Sequence, residues 1–170
     1  MIAPTWRPTL AATWISGALL IADQLSKALV LRSMRLHESI ALLPSLNLTY
    51  TRNPGAAFSL FADTNGTFRF WFFTLVSIAA VALVITFLRR VAPGDWWSLT
   101  ALSLILGGAL GNVVDRLRFG EVIDFIDVYV GPYHWPVFNF ADSGITIGMV
   151  MLLGHLVFHR DTDPRPAVNS

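Results

Sequence analysis

Two carboxyl groups that share one proton can hydrolyse an amide. One accepts a proton from water while the other polarises the carbonyl under attack. This chain carries its acids and amides in unusual places. Asp23 and Lys27 interrupt one long apolar run, Asn112, Asp115 and Arg116 end another, and Asn139 and Asp142 open a third. Asp124 and Asp127 lie between the last two runs, and Asn53 lies in an earlier connection. Polar side chains in hydrocarbon are costly, so each needs a reason.

For most of them a structural reason is available. Asp23 and Lys27 are spaced i, i+4 with the acid first, the favourable order for a helix-face pair, and Lys27 is expected to snorkel outward. Asp115 and Arg116 read as boundary charges, and Asn112 and Asn139 as hydrogen-bonding links between helices. Gly107, Gly108 and Gly111 read as close helix packing. Asp142 is harder to explain, because no basic residue lies within two helical turns of it. Asp124 and Asp142 could meet at one membrane boundary, with Asp127 and Asp115 as competitors on spacing alone.

Other chemistries lack the residues. The chain has no cysteine, which removes thiol nucleophiles, disulfides and cysteine-ligated metals. It has no H-E-x-x-H, G-x-S-x-G or P-loop. His155 and His159 have ligand spacing but fall at the far end of their run from the acids, where an interfacial role is expected. No metal and no cofactor are expected. A nucleic-acid partner is not expected either, since 12 Lys+Arg against 11 Asp+Glu leave a net charge of only +1.

The elements that must position these groups are long apolar helices. Apolar residues make up 54% of the 170, charged residues only 14%, and mean hydropathy is +0.58. The runs cover about 10–31, 70–88, 96–114 and 137–158. Each is near the ~20 residues that an α-helix needs to cross about 30 Å of hydrocarbon. The first is too long for a signal-peptide core and is read as a retained span. Alternating chain direction brings the polar ends of spans 1, 3 and 4 to one membrane face. On these boundaries Asp142 lies about 8 Å below that face and Asp23 about 12 Å.

Arginine is denser in the terminal and 89–95 segments, five in 28 residues against five in 58 for the other loops. This predicts cytoplasmic termini, with the polar cluster on the opposite face. In the 32–68 connection, Ser39–Leu43 and Leu46–Arg52 read as strands. Asn53-Pro54-Gly55 reads as a turn, and 56–62 as a short interfacial helix. The 117–136 connection mixes apolar and acidic residues and is assigned no element. The fold class expected is an all-α membrane protein: four transmembrane helices, a small extracytoplasmic loop domain containing β-structure, and a short interfacial helix. Residues 1–160 form a single domain, and 161–170 a polar cytoplasmic tail.

Five blocks, taken in order, resemble bacterial lipoprotein signal peptidase (signal peptidase II). They are Asp23-Gln24-Leu25-Ser26-Lys27, Asn53 to Ser59, Gly107 to Asn112 with Asp115-Arg116, Val122 to Phe125, and Phe138 to Ser143. Asn53-Pro54-Gly55 stands where the family often has Asn-Thr-Gly, a departure within a turn. The resemblance implies an aspartic endopeptidase of the bacterial inner membrane, with its active site near the periplasmic face. Its substrate would be a lipid-modified prolipoprotein, cut just before the diacylglyceryl cysteine. Carried onto this chain, the dyad is Asp124 and Asp142. Asn53, Gly55, Asn112, Arg116 and Asn139 map to the substrate pocket, and Asp23 and Lys27 to supporting polar positions. Besides the substrate, membrane lipid is the expected partner, and the enzyme is expected to be a monomer. A proton relay through Asp23, Asp115 and Asp142, as in a transporter, fits less well because a relay should cross the membrane and these acids gather on one side. Peptidase activity in detergent is expected to survive EDTA. Loss on chelation with recovery on zinc addition would exclude the carboxylate chemistry.

Overall fold

The structure, a computed structural model, describes residues 6–55 and 65–158. Its elements run α1 (Trp6–Ser33), β1 (Ser39–Leu43), β2 (Leu46–Asn53), α2 (Gly66–Leu88), α3 (Trp96–Phe119), β3 (Val122–Val130), β4 (Tyr133–His134) and α4 (Phe140–Phe158). The helix expected at 56–62 and the 161–170 tail lie outside the described residues. All four helices are long and apolar enough to cross a membrane. The strands expected at 39–43 and 46–52 are present. The connection after α3, for which the residues suggest no element, contains the nine-residue strand β3.

Local chemistry sets the helix ends. Asn65 accepts from Thr67 N–H to start α2, and Asp95 accepts from Ser98 N–H to start α3, both at 2.9 Å. Gly120 ends α3 in the left-handed conformation, φ 77°. Helix α1 is longer than expected at both ends and α2 begins earlier, at Gly66; two further shifts bear on the polar cluster. α3 runs to Phe119, past Asp115 and Arg116, because Asp115 turns inward to partners in the protein. α4 begins at Phe140 rather than 137, because the Phe138 backbone is engaged with Ile126 of β3. Asp142 therefore stands in the first turn of α4, nearer its end than the expected depth.

Helix α3 is central and packs on α1, α2 and α4. The close packing expected of its glycines is present. A Cβ on Gly107 would come within 2.6 Å of the Ser16 carbonyl oxygen, and one on Gly111 within 2.5 Å of Asp23 Oδ2. Ser16 Oγ also donates to Ser103 O at 2.8 Å, and Trp97 Nε1 to Met151 O at 2.7 Å. The sheet is antiparallel in the order β1-β2-β3-β4. It packs on the end of α1 through Val30, Met34, Tyr50, Ile123 and Phe125. Fully burying an apolar side chain of this kind is worth about 1.5–3 kcal/mol.

A buried ionic hub pins the helices to the sheet. Lys27 is the chain's only lysine, and contrary to expectation it does not snorkel: it is 2% exposed. Its Nζ lies 2.8 Å from Asp23 Oδ2 and 2.7 Å from Asp115 Oδ2, and 3.2 Å from Asn112 Oδ1. All three ammonium donors are used. Asp23 Oδ1 accepts the Ala141 N–H of α4 at 3.0 Å. Asp115 Oδ2 accepts the Ile123 N–H of β3 at 3.1 Å. Gln24 Nε2 adds bonds to Asp115 Oδ1 (2.9 Å), Asp23 Oδ2 and Gly111 O (each 3.2 Å). Removing the cation would leave two buried carboxylates unpaired, which costs about 3–5 kcal/mol. Lys27→Met is therefore expected to lower the unfolding temperature in detergent sharply. Lys27→Arg should not rescue it, since a planar fork cannot reproduce three converging donors. A wild-type melting temperature in Lys27→Met would refute the hub.

Candidate active site

Asp124 and Asp142 reach one point from different elements. Asp124 lies on β3 opposite Thr51 of β2 and is buried. Asp142 belongs to a reciprocal cap that starts α4. Its N–H donates to Asn139 Oδ1 at 2.8 Å, and its Oδ2 accepts the Asn139 N–H at 3.3 Å. The bonds that begin the helix thus also orient the carboxylate.

Two buried amides join the acids. Asn139 Nδ2 donates to Asp124 Oδ1 at 2.7 Å, with longer contacts to Asn112 Oδ1 and Ile123 O, both 3.3 Å. Asn112 Nδ2 donates to Asp142 Oδ1 at 2.7 Å, while its Oδ1 faces Lys27. Both asparagines do link elements, as expected, and each also holds one carboxylate of the pair. Asn53 hydrogen-bonds Asp124 from the end of β2, and its Oδ1 accepts the Gly55 N–H at 2.9 Å. Gly55 adopts φ 91° and is buried so closely against the Phe73 ring that a Cβ would overlap it. Arg116, whose Nη1 donates to Asn112 O at 3.2 Å, acts electrostatically on Asp142, Asp115 and Asp124.

The other two acids have different surroundings. Asp115 is committed to Lys27, Gln24 and the Ile123 N–H. Asp127 is three residues along β3 from Asp124, which puts it on the opposite face of the strand. It is held there by His134, Asn47 and Thr49.

A cavity of about 590 Å³ opens beside the pair. Asn53 and Asp142 line it, with Ser143, Thr146 and Ile147 along α4 and the Trp135–Phe138 segment opposite. Asp124, 1% exposed, is not part of this lining. Asp23 and Lys27 lie deeper, outside the lining, and act on the site through the hub. The sequence reasoning missed the α4 wall and the Trp135–Phe138 wall. Helical spacing from Asp142 could have revealed the first. No local signal marks the second, because it depends on how the chain leaves the β3–β4 hairpin. Among the described residues, no group of three or more His, Asp or Glu is arranged to hold a metal ion.

Burial is the main influence on Asp124. It pushes the carboxyl up to about 7, with the charge of Asp142 acting the same way, against hydrogen bonds from Asn53 and Asn139 and the Lys27 cation. At Asp127 burial also pushes upward. Its hydrogen bonds from His134 and Asn47, the charge of His134 and the Thr49 bond outweigh that and hold it below the ordinary carboxylate value.

Residues 15–158 match the family described as Signal peptidase (SPase) II. The chain belongs to the signal peptidase II family. Signal peptidase II is an aspartic peptidase. Similar proteins named lipoprotein signal peptidase come from Syntrophus aciditrophicus (43% identical, covering 89% of this chain and 94% of that one) and Shewanella sp. strain MR-4 (44%, covering 94% of each). Two similar solved structures are described as bacterial membrane enzymes determined by the in meso method. One, at 2.3 Å, is 31% identical with a TM-score of 0.80 and covers 94% of each chain. The other, at 1.9 Å, is 33% identical with a TM-score of 0.77 and covers 89% of this chain and 94% of that one.

Burial of Asp124 makes folding stability depend on pH. The protonated form is favoured in the folded state, so this group's contribution to stability is full below pH 3.8 and is lost as pH rises through about 7. Wild-type stability in detergent should fall over that window relative to Asp124→Asn. The infrared carbonyl band of a protonated carboxyl should bleach near pH 7 in wild type and be missing in the variant. A band lost near pH 4 would show that burial does not control this group.

Proposed function

We propose that this signal peptidase II removes the signal peptide from diacylglyceryl-modified prolipoproteins, cutting just before the lipid-modified cysteine, with Asp124 and Asp142 as its catalytic dyad. The observation that carries this reading is the amide bridge. Asn139 holds Asp124 and Asn112 holds Asp142, each at 2.7 Å, beside a cavity large enough for a peptide segment. Asp142, at the cavity wall, takes a proton from the attacking water. Asp124, whose carboxyl burial raises to about 7, carries a proton that hydrogen-bonds the carbonyl oxygen; as the C–N bond breaks, the proton gained by Asp142 passes to the leaving amine and Asp124 keeps its own. Arg116 adds positive charge as negative charge develops on that oxygen.

The substrate class fits the location. Its acyl chains belong in the bilayer, while its scissile bond must reach a polar site at a helix end. Asp142 in the first turn of α4 is such a site. Lipid anchoring supplies binding energy remote from the reacting bond. Arg89-Arg90 at the end of α2 supports cytoplasmic termini and a periplasmic active site in a multi-pass inner-membrane protein. The chain is read as acting as a monomer, with membrane lipid around it.

Single-turnover cleavage of a lipidated precursor tests the assignment. Asp124→Asn and Asp142→Asn should each lose about 10³-fold or more, and the double variant should be hardly worse than either, because a dyad acts as a unit. Asp127→Asn should keep most of the maximal rate, since its side chain faces away from the pair. The same precursor without lipid should be cut far more slowly. Good cleavage by both dyad variants, or equal rates with and without lipid, would overturn the assignment.

A further inference from the structure

Another acid–base pair stands beside the cavity, on the sheet. His134 Nδ1 lies 2.7 Å from Asp127 Oδ1. The imidazole stacks on Tyr129, with centroids 5.1 Å apart and planes 19° apart. Asp127 Oδ2 accepts from Asn47 Nδ2 at 3.0 Å and Thr49 Oγ1 at 3.3 Å. Thr49 is in turn 2.7 Å from Ser39 Oγ. The acid is therefore anchored across three strands, and the dyad's bonds do not involve it.

The cavity wall starts at the residue after His134. Strand β4 has only two residues, Tyr133 and His134, after a turn at Gly131 with φ 57°. So short a pairing is marginal alone. Beyond His134, the Trp135 N–H reaches Val128 O at 2.8 Å, and pairing resumes only at Phe138, whose backbone exchanges bonds of 2.7 and 3.0 Å with Ile126. Asp127 lies on β3 between those two anchor points. Pro136 has no N–H to offer a ladder. The chain bulges here, and the bulged residues Trp135, Pro136 and Val137 form the wall facing Asp142. The side-chain contact from His134 to Asp127 reinforces the few backbone bonds at the upstream end.

We infer that the His134–Asp127 pair is a clasp that positions the Trp135–Phe138 wall, and thereby sets affinity for the apolar part of the substrate rather than the rate of bond cleavage. The inference rests on the cavity being the peptidase's substrate site. The wall is hung from the sheet, while the dyad is held separately by Asn112, Asn139 and the Lys27 hub. Loosening the first should leave the second in place.

The test compares wild type, His134→Ala and His134→Asn for KM and kcat on a lipidated precursor. It also follows amide hydrogen exchange at Trp135 and Ile123. Asparagine presents a side-chain N–H close to the position of Nδ1, and alanine presents none. In His134→Ala, KM should rise about fivefold or more with kcat within about twofold, the pattern of lost binding. The Trp135 amide should exchange faster, while the Ile123 amide, held by Asp115, should not change. His134→Asn should restore both KM and exchange. An unchanged KM in His134→Ala, a fall in kcat without a rise in KM, or an asparagine variant as impaired as alanine would overturn the clasp. If wild type fails to cleave the precursor, the assigned reaction is wrong. Exchange then decides the clasp alone: equal Trp135 exchange in wild type and His134→Ala overturns it, and faster exchange in alanine supports it.

Discussion

The structure depends on one ammonium group taken out of water. Lys27 sits between Asp23 and Asp115 with essentially no solvent exposure, an arrangement whose desolvation cost the Coulomb attraction repays only when every donor is used. Here every donor is used, and the third goes to Asn112. The hub adds little stability beyond what a well-packed apolar substitute would give. It provides placement instead. From Asp23 a bond reaches the second residue of α4, and from Asp115 a bond reaches the residue before Asp124. Both candidate catalytic carboxylates thus lie next to a backbone amide held by the same hub.

The two acids differ because their elements differ. A strand buried against α1 removes Asp124 from water and makes its charged form costly. A helix start offers Asp142 its own partners, so the capping geometry that begins α4 also aims the carboxylate. Two asparagines bridge the pair without adding charge. An acidic bridge would have brought further repulsion, and a basic one would have favoured ionisation of both acids. Neutral amides fix the orientation of both carboxylates.

The cavity shows a division of labour. One wall is α4 itself, rigid and continuous with the cap that holds Asp142. The other is a bulged stretch after a two-residue strand, tied to the sheet at both ends. The first wall is held by helix hydrogen bonds along its length, the second by backbone bonds only at its ends. The sheet is therefore more than a loop domain. It carries one acid of the pair and suspends one side of the cavity.

The parts that depend on long runs and short-range bonds are legible in the residues alone. Four apolar stretches near membrane length became four helices, because hydropathy integrates over many residues and survives errors at the ends. The Ser39–Leu43 and Leu46–Arg52 strands were legible from their apolar, β-branched residues around Pro44. Convergence of Asp23, Asn112, Asp115, Asn139 and Asp142 at one end followed from alternating chain direction. Spacing could not choose Asp124 over Asp127 or Asp115, and the family motifs alone pointed to it. Only the tertiary structure separated these acids, since their difference lies in what crosses from other elements: Asn139 to Asp124, Lys27 to Asp115, and His134 with Asn47 to Asp127. It also turned Lys27 inward, made β3 from an unassigned segment, and formed a wall from Trp135–Phe138. Each of these outcomes rests on contacts between residues distant in sequence or on a strand register, and local pattern carries no record of either.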